Sequence, residues 1–223
     1  MQIILPRILQ IGERASAQLP NVLLSIACKR PLIITDKVML ELGYVSKLEG
    51  LLAEQGIVSD VYADTVPEPT AASIQAGVEK VMNGNYDCLV AIGGGSPIDS
   101  AKAIGVLAKF GGQMSDYKVP RIVDQPGLPV IVIPTTAGTG SEVTRATVIT
   151  NELTDEKMLC MVKGFVPVAA LVDYELTLTV PPRTTADTAI DSLTHAIEAY
   201  VSRKASPFTD AQAIQAMGLV APN

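Results

Sequence analysis

The sequence has no tryptophan, one histidine and three cysteines, and only 18% of its residues are charged. Each scarcity excludes something. With 48% apolar residues and so few charges, intrinsic disorder is ruled out, because disorder needs the opposite balance. The 17 Lys and Arg against 23 Asp and Glu leave a net charge of −6, the wrong sign for a nucleic-acid partner. Long apolar runs are also missing. The stretch from Val22 to Cys28 falls far short of the roughly 20 residues of a membrane span. The opening MQIILPRILQ has no charged n-region, apolar core or small-residue cleavage site, so a cytoplasmic protein with no membrane partner is expected. Cys28, Cys88 and Cys160 are far apart with no C-x-x-C pair, which reads as free thiols in a reducing compartment. No cysteine spacing supports zinc.

What is present is a repeating alternation. The run Pro31 to Thr35 reads as a buried strand, and Lys37 to Gln55 places Met39, Leu40, Leu48, Leu51 and Leu52 on one helical face. Val58 to Tyr62 suits another strand, and Thr70 is placed to cap a helix running to about Met82. Cys88 to Ile92 is the clearest strand, followed by Gly93-Gly94-Gly95-Ser96 and a helix starting near Pro97. Val130 to Ile133 and Ala169 to Val172 read as further strands. Strand–helix alternation means parallel βαβ units, so residues 1–180 are expected to form an α/β domain. Between Val143 and Val162 the pattern suggests a hairpin added to that sheet. From 181 to 223 only helical spacing remains: Ile190, Leu193, Ile197 and Val201, then a second helix from about Pro207. Two such helices cannot bury a core of their own, so this part reads as the start of a helical domain and the chain as an N-terminal portion.

Four constellations carry chemistry. A glycine cluster at the end of a parallel strand, opening a helix, lets backbone N–H groups approach a phosphate, with Gly93 to Lys102 as the candidate. It meets neither G-x-G-x-x-G nor the P-loop pattern, and a plain tight turn gives the same residues. The loop Pro134 to Thr144 also follows a strand and is dense in hydroxyls and glycines, enough to bind a nucleotide or simply to satisfy itself. Asp36 ends the first clear strand, where an acid can accept from ribose hydroxyls and repel a 2′-phosphate, or cap the following helix. Asp191 and His195 stand four residues apart on a helix, close enough to share a divalent cation or to pair with each other. Two protein ligands alone make a poor catalytic site.

Taken together, GGGSPIDSAKAIG, PTTAGTGSEVT and AIDSLTHAIEAYVS, in this order, resemble the iron-containing (group III) alcohol dehydrogenases, whose closer members include lactaldehyde reductase and 1,3-propanediol dehydrogenase. The resemblance covers essentially the whole chain. It implies a dehydroquinate synthase-like, parallel-sheet dinucleotide-binding domain followed by an all-helical domain, with metal and alcohol in the cleft between. It assigns Asp36 to the adenosine ribose, Gly94, Gly95 and Ser96 to the pyrophosphate, with Gly93 and Asp99 beside them. Thr135, Thr136 and Thr139 would line the nucleotide, and Val148 and Lys157 would also contact the cofactor. Asp191 and His195 match the first two of four metal ligands, whose remaining two histidines lie beyond this sequence. Glu68 stands where the family has asparagine, and Ala189 stands where it commonly has glycine.

The implied activity is hydride transfer between a small primary alcohol or diol and NAD, activated by Fe²⁺ or by Zn²⁺, Ni²⁺ or Mn²⁺. No residue is assigned as a catalytic proton-transfer group. The substrate partner is a small alcohol or aldehyde, and family members usually self-associate, so a homo-oligomer is allowed. Two alternatives stand beside this reading: a non-catalytic NAD-binding remnant or interaction module, and a glycerol dehydrogenase or dehydroquinate-synthase-like relative.

Overall fold

Strands that are apolar on both faces belong in the middle of an α/β sandwich. The computed structural model, which describes residues 2–121 and 125–222, places them there. Six parallel strands form one sheet: β1 (Ile8–Ile11), β2 (Pro31–Ile34), β3 (Asp60–Tyr62), β4 (Cys88–Gly93), β5 (Val130–Pro134) and β8 (Ala169–Val172). Their spatial order is β1-β8-β5-β4-β2-β3. Every residue of β2, β4 and β5 is buried. Alternation explains how, because Leu89 and Ala91 feed one core while Cys88, Val90 and Ile92 feed the other.

The helices divide between the two faces. On one side lie α1 (Leu19–Ser25), α2 (Lys37–Glu41) and α3 (Tyr44–Glu54), supplying Leu19, Met39, Leu48 and Leu52. On the other lie α4 (Ala71–Met82) and α5 (Gly95–Phe110), supplying Ile74, Ile98, Ala101 and Ile104. The chain therefore leaves β2 toward one face and β4 toward the other, although the two strands are neighbours. Such a reversal opens a crevice at the C-terminal ends of the two strands, where α/β sheets bind ligands.

Several expectations are corrected. The single helix expected over Lys37 to Gln55 breaks at Gly43, whose φ of +74° is a left-handed conformation that glycine adopts without penalty. Met39 and Leu48 are buried, but Leu40 is exposed, because the break lets α2 turn independently of α3 and the five-residue α2 buries only Met39. The helix expected near Pro97 begins at Gly95, leaving Pro97 inside the first turn, where its missing N–H costs nothing. The hairpin, β6 (Ala146–Asn151) and β7 (Glu156–Met161), is a separate antiparallel pair rather than an addition to the sheet. The sheet's free edges are β1 and β3, and the hairpin sits at neither, because its inward side chains are committed to the helices of one face. Ile149, Met158 and Cys160 instead pack into the α4/α5 core, with Val148 and Leu159 left exposed on the opposite side.

The chain closes on α6 (Pro182–Val201) and α7 (Pro207–Val220), which pack on each other. Only Ala196 and Ala213 of these helices are buried. None of the described helices is long and apolar enough to cross a membrane.

Candidate functional site

Two clefts meet at the end of β4. The first, about 940 Å³, is lined by Asp36, Thr65, Gly94, Gly95, Ser96, Thr135, Thr136, Thr179 and Thr184, among others. The second, about 800 Å³, is lined by Gly95, Ser96, Asp99, Thr139, Thr144, Val148, Lys157, Asp191 and His195. Gly95 and Ser96 belong to both, so the glycine turn is the saddle between them.

The turn is shaped by close approach. Gly93 has φ +145°, and a Cβ there would sit 2.6 Å from Pro97 Cγ, so the strand exit tolerates only glycine. A Cβ on Gly95 would lie 3.1 Å from Thr139 Cγ2, and one on Gly94 would lie 3.4 Å from Thr136 Oγ1. Side chains at these two positions would fill the cradle. The 16-residue α5 starts here with no side-chain cap, whereas Asp36, Thr70 and Ser206 cap α2, α4 and α7. Its first N–H groups therefore face the saddle with the positive end of the helix dipole behind them. An anion fits this place.

Asp36 does both things the sequence allowed. Its Oδ1 accepts from Met39 N–H at 3.0 Å, capping α2, while the residue lines the first cleft. Thr135 is buried at the end of β5 with its N–H donated to Gly93 O at 2.9 Å, which ties the two loops together.

A residue that the sequence showed only as the end of the first candidate loop holds the second one. Lys102 is fully buried on α5, and its Nζ donates to Ser141 O and Ala146 O, each at 2.7 Å, and to Ser141 Oγ and Thr144 Oγ1. Asp99 stands 3.6 Å from that ammonium, accepts from Ser141 Oγ, and accepts from Val148 N–H at 3.1 Å. One turn of α5 thus fixes both the Thr/Gly loop and the first strand of the hairpin. Burial pushes the Lys102 ammonium down to about 8, against the pull of Asp99 and Glu142. Burial likewise raises the Glu142 carboxyl, with Lys102 opposing. The signal was available, since a lysine three residues after Asp99 falls on the otherwise apolar face of α5.

Val148 and Lys157 line the second cleft from the hairpin. Lys157 Nζ is paired with Glu68 Oε1 at 2.7 Å, an exposed contact of small energetic weight. Glu68 itself has φ +51°, a conformation that suits asparagine better. Across the cleft, α6 comes close to the Thr/Gly loop, where a Cβ on Gly138 would lie 2.4 Å from Thr188 O. This contact brings Asp191 and His195 to the rim. Asp191 Oδ1 and His195 Nε2 are 3.5 Å apart, with side chains 43% and 53% exposed. An imidazole and a carboxylate suit Fe²⁺, Zn²⁺, Ni²⁺ or Mn²⁺, but among the described residues no third His, Cys, Asp or Glu joins them.

Comparison with known proteins matches this arrangement to one family. The model for iron-containing alcohol dehydrogenases matches residues 6–174, and the model for the C-terminal part of the same family matches residues 185–223. Long-chain-alcohol dehydrogenase 1 of Geobacillus thermodenitrificans is 40% identical over 222 residues, covering 98% of this chain and 56% of that protein. The crystal structure of a 1,3-propanediol oxidoreductase superposes with a TM-score of 0.94 at 34% identity, over 100% of this chain and 58% of that one. Sulfoacetaldehyde reductase from Bifidobacterium kashiwanohense, solved in complex with NAD⁺, gives 0.91 at 33% identity, over 98% and 58%. The chain therefore spans little more than half the length of these relatives.

Proposed function

The chain belongs to the iron-containing alcohol dehydrogenase family, and from that premise we propose that residues 1–180 bind NAD and residues 181–223 begin the metal-binding helical domain of an NAD-dependent alcohol dehydrogenase. One observation carries the reading: the uncapped glycine turn of α5 lies between a cleft that ends at Asp36 and a cleft that ends at Asp191 and His195. A dinucleotide is a molecule with two ends and a central diphosphate, and the two clefts match that shape.

Each residue has a task in this scheme. Asp36 accepts from the ribose hydroxyls with the lone pairs its cap leaves free, and its charge repels a 2′-phosphate. Gly94, Gly95 and Ser96 offer backbone N–H groups to the diphosphate, while Gly93 sets the turn and Asp99 braces it. Thr135, Thr136 and Thr139 wall the nucleotide, and Val148 and Lys157 bound the far cleft. Asp191 and His195 donate an oxygen and a nitrogen to a divalent ion. When bound, the nicotinamide supplies hydride chemistry and the metal supplies Lewis-acid polarisation of the alcohol oxygen. The residues present orient the two and, on this reading, perform no proton transfer themselves.

A second reading applies to the 223 residues alone. Asp191 and His195 stand half-exposed without a third donor, which favours NAD binding without turnover by this portion. Assaying NADH formation from small primary alcohols and diols with added Fe²⁺ distinguishes the two. Turnover that a chelator abolishes supports the dehydrogenase, and turnover that resists a chelator overturns the metal role. NADH binding without turnover supports the second reading.

A further inference from the structure

The fold joins what the sequence keeps apart. Cys28 lies in the connection before β2, and Cys88 is the first residue of β4, yet their Sγ atoms and a carboxylate oxygen of Asp87 all lie within 4.8 Å of one another. Because the strands are parallel and the glycine turn is at the other end of β4, this cluster sits on the edge of the sheet opposite the nucleotide clefts.

We propose that Cys28, Asp87 and Cys88 bind a thiophilic divalent cation such as Zn²⁺, at a site separate from Asp191 and His195. The donors are held in place by the backbone. Asp87 Oδ1 accepts from Arg30 N–H at 2.9 Å and Oδ2 from Lys29 N–H at 2.7 Å, which folds the connection so that Cys28 comes beside Cys88. Each carboxylate oxygen keeps a second lone pair for an ion. The two cysteines are 4% and 0% exposed while Asp87 is exposed, so the sulfurs lie inward and a fourth, solvent-side position stays open. Two sulfurs and one carboxylate favour a borderline-soft ion over Mg²⁺ or Ca²⁺.

The two thiols stand within reach of each other: the interaction with Cys88 lowers the Cys28 thiol, and the interaction with Cys28, followed by burial, raises the Cys88 thiol. Burial opposes ionisation of Asp87, but the N–H groups of Lys29 and Arg30 hold its carboxyl below the ordinary value. Binding releases the two thiol protons and leaves an ion with two thiolates and one carboxylate, flanked in sequence by the cations Lys29 and Arg30. Its effect is to tie the connection before β2 to β4, so the readout is stability rather than turnover.

The test is a titration of the reduced, metal-free chain with Cd²⁺, read by the ultraviolet sulfur-to-cadmium charge-transfer band. The absence of tryptophan keeps the background low. One equivalent should bind with the amplitude of two thiolates, be competed off only by a large excess of Zn²⁺, and raise Tm. Cys28→Ser should halve the band and weaken binding by at least about tenfold. Asp87→Asn should weaken binding with the band amplitude kept, and Cys160→Ser, on the other face of the sheet, should leave the band and its affinity unchanged. The pair Asp191 and His195 contains no sulfur and cannot produce the band. The proposal is overturned if no saturable band appears, if the band survives Cys28→Ser intact, or if Cys28 and Cys88 form a disulfide while the reduced chain takes up no metal.

Discussion

Strand β4 and helix α6 are both rich in apolar residues, and they end in opposite situations. All six residues of β4 are buried, whereas α6 buries one residue of twenty. Ile133 in β5 is fully enclosed, while Ile190, Ile197 and Val201 of α6 are 63%, 46% and 71% exposed. Hydrophobic spacing selects the element and its face, but burial needs a partner surface. The sheet has helices on both sides, while α6 and α7 have mainly each other. The same division runs through the site. The half-buried glycine turn is braced from behind by the buried Lys102 and Ser141, whereas nothing comparable among the described residues holds the half-exposed Asp191–His195 pair.

The sharpest way to break this contrast is truncation on each side of it. Ile133→Ala should cost about 2–5 kcal/mol in chemical denaturation, the range for a buried aliphatic residue. Ile197→Ala should stay within about 0.5 kcal/mol. Equal losses would mean that the helical pair shares the core after all.

The next effect in size concerns the brace. Lys102→Met strands Asp99 and two carbonyl oxygens, so a loss of about 3 kcal/mol is expected, together with weaker NADH binding through the loosened 141–146 loop. The pH dependence has a definite sign. The folded amine titrates near 8 and the unfolded one at 10.5, so between these values the unfolded chain holds more protons and stability rises with pH. Wild type should gain on the order of 2 kcal/mol relative to Lys102→Met across that window. Parallel pH profiles would refute the buried-cation assignment.

Smaller effects separate binding from folding. Asp36→Asn keeps a good helix cap, so stability should hold while NADH affinity falls about tenfold and the discrimination against NADPH narrows. Asp36→Ala should add about 1 kcal/mol of instability from the lost cap. Smallest of all, His195→Ala should leave the denaturation curve unchanged within about 0.5 kcal/mol, because the imidazole is half-exposed, and should alter divalent-ion binding only.

The sequence announced the strands that are apolar throughout, because a run such as Cys88 to Ile92 has no other place to go. It concealed β1, whose alternation of half-buried and exposed residues over four positions is too short to stand out, and α1, whose seven residues read only as an apolar stretch. The candidate site was legible where chemistry and local geometry coincide, as in the glycine turn and the Asp191–His195 spacing. It was illegible where it depends on the sheet order. Cys28 meets Cys88 because β2 and β4 are neighbours, which no spacing in the chain encodes, and Lys102 reaches Ala146 because the hairpin packs on α5, although the lysine itself stood out on that helix. The break at Gly43 was missed because a glycine inside a helical pattern is often tolerated.

On the proposed reading, residues 1–180 bind NAD without help from a metal, whereas Asp191 and His195 are the only two metal donors brought together at the second cleft among the described residues. NADH fluorescence titrated with the 223-residue chain, in the presence of a strong chelator, tests it directly. The account predicts saturable binding at a single site, unchanged by the chelator and lost when Gly95 is replaced by a bulky residue that fills the cradle. A folded chain that ignores NADH, or binds it only after Fe²⁺ is added, would contradict it.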